Sequence, residues 1–192
     1  MVKQKQKDGA AWKVIESEYV SRRPWLTVRR ERLKLPNGNE IPEYYVLEYP
    51  DWVNVIAITE DGQLVLERQY RHALGCTAWE IPGGTLEKTD ASPLAGAQRE
   101  LLEETGFGGG EWFLFEKISS NPACANNLTH CFLARGVRKI GRQHLDAGED
   151  IEVKLFPVED LPKMLLHGDF VQALDTSPLW KFSYLQKVLC CG

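Results

Sequence analysis

The sequence has no run of about 18 apolar residues and no basic-then-apolar leader, so it predicts neither a membrane-spanning helix nor a secretory signal. It has no excess of positive charge. Twenty-three Lys and Arg stand against 27 Asp and Glu, and the net charge of −4 excludes the electrostatic footprint of a protein that grips long nucleic acid. The five cysteines are odd in number and lack C-x-x-C spacing, which argues against a disulfide framework or a cysteine zinc site. Cys190-Cys191 carries no assigned role, and a reducing cytoplasm is the expected compartment. The four histidines, at 72, 130, 144 and 167, follow no ligand spacing and read as structural or exposed.

What is present is an ordinary globular composition. Of 192 residues, 43% are hydrophobic and 26% charged, enough to bury a core in one domain with an appended element. Met1 to Lys7 is polar and expected to fray. Residues 12–35 scatter apolar positions around Arg23-Pro24, with a strand from Thr27 to Leu35. Pro36-Asn37-Gly38 reads as a turn and Glu43–Tyr49 as the returning strand. Residues 1–50 therefore form a small strand-rich segment, too short for a core of its own, whose apolar positions are expected to pack on a second copy in a homodimer.

Residues 51–192 form the main domain. Val53–Ile58 is a β-branched strand, Asp61-Gly62 a hairpin turn and Gln63–Tyr70 the next strand. Trp79-Glu80-Ile81 is a short strand ending at Pro82-Gly83-Gly84. Ser92 caps a helix that tolerates Pro93 in its first turn and ends at Gly106. Strands follow at Trp112–Ile118, Leu128–Ala134 and Ile151–Phe156. A helix spans Val158–His167, and Ser177-Pro178 caps a last helix through Leu189 with Leu179, Phe182, Leu185 and Leu189 on one stripe. The class is mixed α/β.

The helix ending at Gly106 carries the chemistry. Glu100, Glu103 and Glu104 stand at i, i+3 and i+4, so three carboxylates share one face. Like charges at that spacing repel, and a hard divalent cation with oxygen ligands is the natural counterion.

The segment Gly84–Phe107 resembles the Nudix box, G-x5-E-x7-R-E-U-x-E-E-x-G-U, where U is bulky and apolar. Arg99 to Phe107 matches its second half position for position, while the first half is one residue longer. Counting forward from Gly84 puts the early acidic position on Asp90; counting back from Arg99 puts it on Ala91. Gln69-Tyr70-Arg71 and Trp79-Glu80-Ile81-Pro82-Gly83-Gly84 resemble the flanks found in ADP-ribose pyrophosphatases and related nucleoside-diphosphate-sugar hydrolases.

The resemblance implies an α/β/α sandwich with a small N-terminal antiparallel element. It also implies hydrolysis of the pyrophosphate of ADP-ribose or a related nucleoside diphosphate sugar, with Mg²⁺ or Mn²⁺. Glu100 and Glu104 would be the principal metal carboxylates, joined by Glu103, Glu80 and the Gly83 carbonyl. Arg99 would hold the carboxylates in place and Arg71 would contact phosphate. Glu149 would be the base that activates water, with Asp150 and Asp146 as alternates. Trp25 and Trp52 are candidates to stack on a nucleobase. The alternatives are a Nudix hydrolase of another nucleotide and a Nudix-fold sensor without catalysis.

Overall fold

The β-branched run at Val53–Ile58 forms the strand on which the larger part of the molecule is built. The structure is a computed structural model that describes residues 10–190, with side chains to residue 188. The polar start at Met1–Lys7 and the Cys190-Cys191 side chains lie outside the described residues. The chain divides into two compact units: residues up to Tyr49 with Asn121–Asn127, and Pro50–Ser120 with Leu128 onward.

The first unit is an antiparallel sheet of β1 (Lys13–Arg23), β2 (Leu26–Lys34) and β3 (Glu40–Glu48), in that order. The sequence showed β2 and most of β3, whereas β1 lacks clean alternation and was legible only as scattered apolar positions. Charges bind its strands across the ladder: Arg30 pairs with Glu18 on β1 and Glu43 on β3, and Arg29 with Glu48 on β3 as well as with Glu31 on its own strand. Leu47 N–H donates to Cys124 O at 2.7 Å, which joins the 121–127 segment to β3.

The second unit is a mixed sheet. Its strands are β4 (Trp52–Thr59), β5 (Gln63–Arg71), β6 (Cys76–Glu80), β7 (Gly83–Thr85), β8 (Phe107–Gly108), β9 (Glu111–Ile118), β10 (Thr129–Lys139) and β11 (Ile151–Pro157). The central path runs β11-β5-β4-β10-β8, with β6 on β5, β7 on β4 and β9 on β10. Only the β4–β10 pair among these is parallel.

Period-two alternation assigns the faces. Val53, Val55 and Ala57 pack with Ala97 and Leu101 of α1 (Pro93–Thr105). Ile56 and Ile58 face the other way, onto Leu161, Met164 and Leu165 of α2 (Leu161–His167) and Leu179 and Phe182 of α3 (Ala173–Cys190). Helices therefore cover both faces, as an α/β/α sandwich requires.

The ends of α1 are as read: Ser92 Oγ accepts from Ala95 N–H at 3.2 Å, Pro93 opens the helix, and Gly106 closes it with φ 70°. Three expectations change. Gly83-Gly84 is not simply a turn but begins a short strand, because the absence of side chains lets it lie against β4, where a Cβ on Gly83 would stand 2.7 Å from Asn54 Cα. The strand read as ending at Ala134 continues to Lys139, since its polar end pairs with β8.

The last helix begins at Ala173, so Pro178 lies inside it rather than at its start. Proline has no N–H for the carbonyl four residues back, Leu174 O. That oxygen instead accepts from Asn54 Nδ2 at 2.8 Å, and a β4 side chain replaces the missing helix bond. On the expected apolar stripe Leu179 and Phe182 are buried, Leu185 is exposed, and Leu189 lies beyond the described side chains.

Candidate active site

Three segments meet where β7 leaves the sheet: the glycine pair, α1, and the ends of β5 and β6. Gly84 has no side chain to spare room for, and an added Cβ would stand 2.6 Å from Glu100 Oε1. Glycine there lets the carboxyl approach the backbone. Beside it, Glu104 Oε2 accepts from Gly83 N–H at 2.8 Å.

Glu100 and Glu104 are buried, and so are Glu67 on β5 and Glu80 directly opposite it on β6. Burial pushes the Glu100 carboxyl up to about 7 against the pull of Arg99. Burial, then the charge of Glu100, drives Glu104 well above the usual range despite the Gly83 bond. Glu67 is raised by burial first and then by Glu104 and Glu80, and its Oε2 has no hydrogen-bond partner. Asp175 at the start of α3 is raised by burial and then by Glu80.

Two arginines answer these acids. Arg99 is held by Asp90 (Nε–Oδ1 3.1 Å, Nη2–Oδ2 3.0 Å), Thr85 O (3.1 Å), Glu103 (3.0 Å) and Glu100 (3.0 Å). Arg71, on β5, forms a two-pronged pair with Glu80, Nε to Oε1 at 2.7 Å and Nη2 to Oε2. Its Nη1 makes no hydrogen bond to any described residue.

The acidic loop after β10 is tied to the same helix. Lys139 Nζ donates to Thr105 O at 2.6 Å and His144 N–H to Glu103 O at 2.8 Å. Gln143 Nε2 bridges Glu104 O (2.7 Å) and Ile151 O (3.3 Å). These bonds occupy carbonyls that a helix C-terminus leaves open. Glu149, on the same loop, is near enough for its charge to add to the upward push on both Glu100 and Glu104. Glu149 Oε2 accepts from Asp146 N–H at 2.9 Å.

A cavity of about 250 Å³ opens beside this cluster, lined by Trp52, Arg71, Glu80, Gly83 and Gly84 and by Asn54, Thr129, Gln172 and Asp175. Of the residues singled out from sequence, Arg71, Trp52, Glu80 and Gly83 thus share one cavity. Glu100 and Glu104 stand behind its glycine wall, Glu100 against Gly84 and Glu104 on Gly83 N–H. Glu103, half-exposed, shares Arg99 Nη1 with Glu100, each at 3.0 Å. Trp25 belongs to the other unit, exposed at the β1–β2 turn with φ 62°.

Asp90 emerges as the principal partner of Arg99, whose hydrogen bonds hold its carboxyl below the usual range. The inserted residue in the preceding loop leaves that pairing intact. Glu67, Asn54, Thr129 and Asp175 were not foreseen. An Asn inside the apolar Val53–Ile58 run was the one available signal, because a polar residue in a strand buried on both faces needs a reason.

The donor set fits a hard divalent cation. It is all oxygen, it is buried, and Glu67 Oε2 is an orphaned acceptor among carboxylates that burial holds near neutrality. No group of three or more His, Cys, Asp or Glu side chains among the described residues stands in position to hold an ion with its present bonds. Glu104 gives Oε2 to Gly83 N–H and Glu100 gives Oε1 to Arg99, and each carboxyl keeps its second oxygen for a cation.

Residues 48–174 match the NUDIX domain, and residues 12–47 match the nucleoside diphosphate sugar hydrolase N-terminal domain. The chain belongs to the NUDIX family and is a Nudix hydrolase. It is 31% identical over 157 residues to an ADP-ribose pyrophosphatase of Bacillus subtilis (strain 168), covering 81% of this chain and 82% of that protein. It is 27% identical over 164 residues to an ADP-ribose pyrophosphatase of Mycobacterium tuberculosis (strain ATCC 25618 / H37Rv), covering 85% and 79%. The crystal structure of an ADP compounds hydrolase superposes with a TM-score of 0.81 over 93% of this chain and 95% of that one, at 23% identity, and shares the fold. No helix among the described residues is long and apolar enough to cross a membrane.

Proposed function

We propose that the protein hydrolyses the pyrophosphate bond of ADP-ribose or a related nucleoside diphosphate sugar, giving a nucleoside monophosphate and a sugar phosphate. The observation that supports this most is the cavity itself, where the spare edge of Arg71 faces space bordered by Gly83, Gly84 and buried carboxylates. Glu100 and Glu104, with Glu103, Glu80 and the Gly83 carbonyl, would hold Mg²⁺ or Mn²⁺, which when bound supplies the positive charge that screens a diphosphate from an attacking water.

The chain's own residues do the rest. Arg71 keeps Glu80 paired through Nε and Nη2 and offers Nη1 to a phosphate oxygen. Arg99 fixes the rotamers of Glu100 and Glu103. Glu149, on a loop anchored to the carbonyls of α1, takes the proton from the attacking water. Trp52 lies at the cavity wall to stack on a ring of the substrate, and Trp25 is kept as a second stacking candidate. The exposed Trp12, Val14, Tyr19, Val20 and Leu26 of the N-terminal unit support assembly with a second copy.

The test is a panel of diphosphate sugars, dinucleoside polyphosphates and nucleoside triphosphates with Mg²⁺ or Mn²⁺, read as phosphate released by an added phosphatase. ADP-ribose or another diphosphate sugar should lead. Strong triphosphate hydrolysis with no diphosphate sugar turned over would overturn the assignment.

A further inference from the structure

The last carbonyls of α1 are all taken, and most of them by one segment. Leu102 O accepts from Gly106 N–H at 2.7 Å, within the helix cap. Glu103 O then takes His144 N–H (2.8 Å), Glu104 O takes Gln143 Nε2 (2.7 Å) and Thr105 O takes Lys139 Nζ (2.6 Å). Gly106 O takes the N–H groups of Ile140 and Gly141, at 2.9 and 3.0 Å. A helix end otherwise leaves such carbonyls to water. The two segments lie so close that a Cβ on Gly106 would stand 2.5 Å from Gly141 O. The root of the acidic loop is thereby fixed to the helix that carries Glu100 and Glu104.

Gln143 does more than close a helix. Its Nε2 carries two N–H groups, and the second goes to Ile151 O at 3.3 Å, at the first residue of β11. One nitrogen thus ties the end of α1, the start of β11 and the root of the loop. Between the ties runs the arc 145–150, with Asp146, Glu149 and Asp150 on it. The arc is braced internally by Asp146 N–H on Glu149 Oε2 (2.9 Å) and Glu149 N–H on Asp146 O (3.0 Å). Its charge is repelled by the carboxylates of α1 and by the negative end of the helix dipole, so it needs a tether to stay. A carboxamide supplies one without neutralising the acids it holds. A base carried on a loop is productive only when held within a fraction of an ångström of its proton.

We propose that Gln143 is a positioning residue for water activation: its carboxamide fixes the acidic loop against α1 and so sets where Glu149 meets the attacking water. The assignment rests on the reading of Glu149 as the base.

Gln143→Met keeps the length of the side chain and removes both N–H groups. In metal-free protein, hydrogen exchange of the backbone amides at 144–150 should quicken about tenfold or more, with the amides of α1 unchanged. On the best substrate of the panel above, with Mg²⁺, kcat should fall about 30-fold and KM stay within about twofold. In the Glu149→Gln background the same substitution should cost less than about threefold, because a residue acting through Glu149 has nothing left to position. Gln143→Lys returns a donor, as Lys139 does beside it, and should bring kcat to within about threefold of the wild type.

Equal losses from Gln143→Met in the wild-type and Glu149→Gln backgrounds overturn the proposal, since they place its effect on α1. An unchanged kcat in Gln143→Met, with Glu149→Gln slow, overturns it too and leaves the base in place. Full kcat in Glu149→Gln alone removes the base, and the proposal falls with it. A best substrate that is no diphosphate sugar defeats the substrate reading only, because the same kcat comparisons still decide the role of Gln143.

Discussion

Arg99 and Arg71 sit at two ends of the same acidic site and are used in opposite ways. Arg99 has five N–H groups and five oxygen contacts, from Asp90 twice, Thr85 O, Glu103 and Glu100. Nothing is left over for a ligand. Arg71, which lines the cavity, gives two of its nitrogens to the single buried acid Glu80, and its third makes no hydrogen bond to a described residue. Under the proposed function the saturated guanidinium is scaffold, and the unsaturated one beside open space is the recognition group. Sequence spacing does not separate these roles, because both arginines stand in matching motifs.

Matched substitutions sharpen the contrast. Arg99→Lys replaces a planar fork with a point charge and leaves most of its five acceptors unanswered. It should lower kcat about 100-fold and the melting temperature by roughly 5 °C. Arg71→Lys keeps a cation against Glu80 but loses the free edge. Its effect should fall on KM, raised about tenfold, with the melting temperature almost unmoved. A larger thermal loss at Arg71 than at Arg99 would reverse the assignment of roles. Asp90→Asn keeps the shape but weakens one side of the Arg99 cradle, and should cost less than about tenfold in kcat. Steady-state kinetics and thermal melts on the three variants give all of these values.

The acids between the arginines respond to pH in a direction fixed by their burial. Glu100 is raised from 4.5 to about 7, and Glu104 and Glu67 are also raised, by burial and neighbouring charge. Their folded-state pKa lies above the unfolded one, so the folded form binds more protons in between. Stability therefore falls as pH rises from about 4.5 through 7 and beyond. Metal-free protein should melt at a lower temperature at about pH 8 than at about pH 5.5, and Mg²⁺ should restore more stability at the higher pH. Melting curves in EDTA and in Mg²⁺ provide the check, and a rise in stability with pH would contradict it.

Much of this was legible in residue order. The central strand, the capped helix from Ser92 to Gly106, and the carboxylates at 100 and 104 follow from local rules: β-branching, a Ser-Pro start, a left-handed glycine and helical spacing. The misses arise where long-range contacts override those rules. Ser177-Pro178 looks like a helix start, yet the helix runs through it because Asn54, 120 positions away, satisfies the carbonyl that proline strands. Glu67 and Asp175 could not be recognised as site residues because only the fold sets them against Glu80.

The central claim is that buried carboxylates on α1 hold the cation that makes a diphosphate hydrolysable. Glu104→Gln tests it most directly, because glutamine keeps the acceptor for Gly83 N–H while removing the charge. Turnover of ADP-ribose is measured for wild type and variant over a Mg²⁺ titration, with circular dichroism to confirm the fold. The account predicts no turnover in EDTA and a loss of about 100-fold or more in the folded variant. Metal-independent hydrolysis by the wild type, or full Mg²⁺-dependent activity in Glu104→Gln, would contradict it.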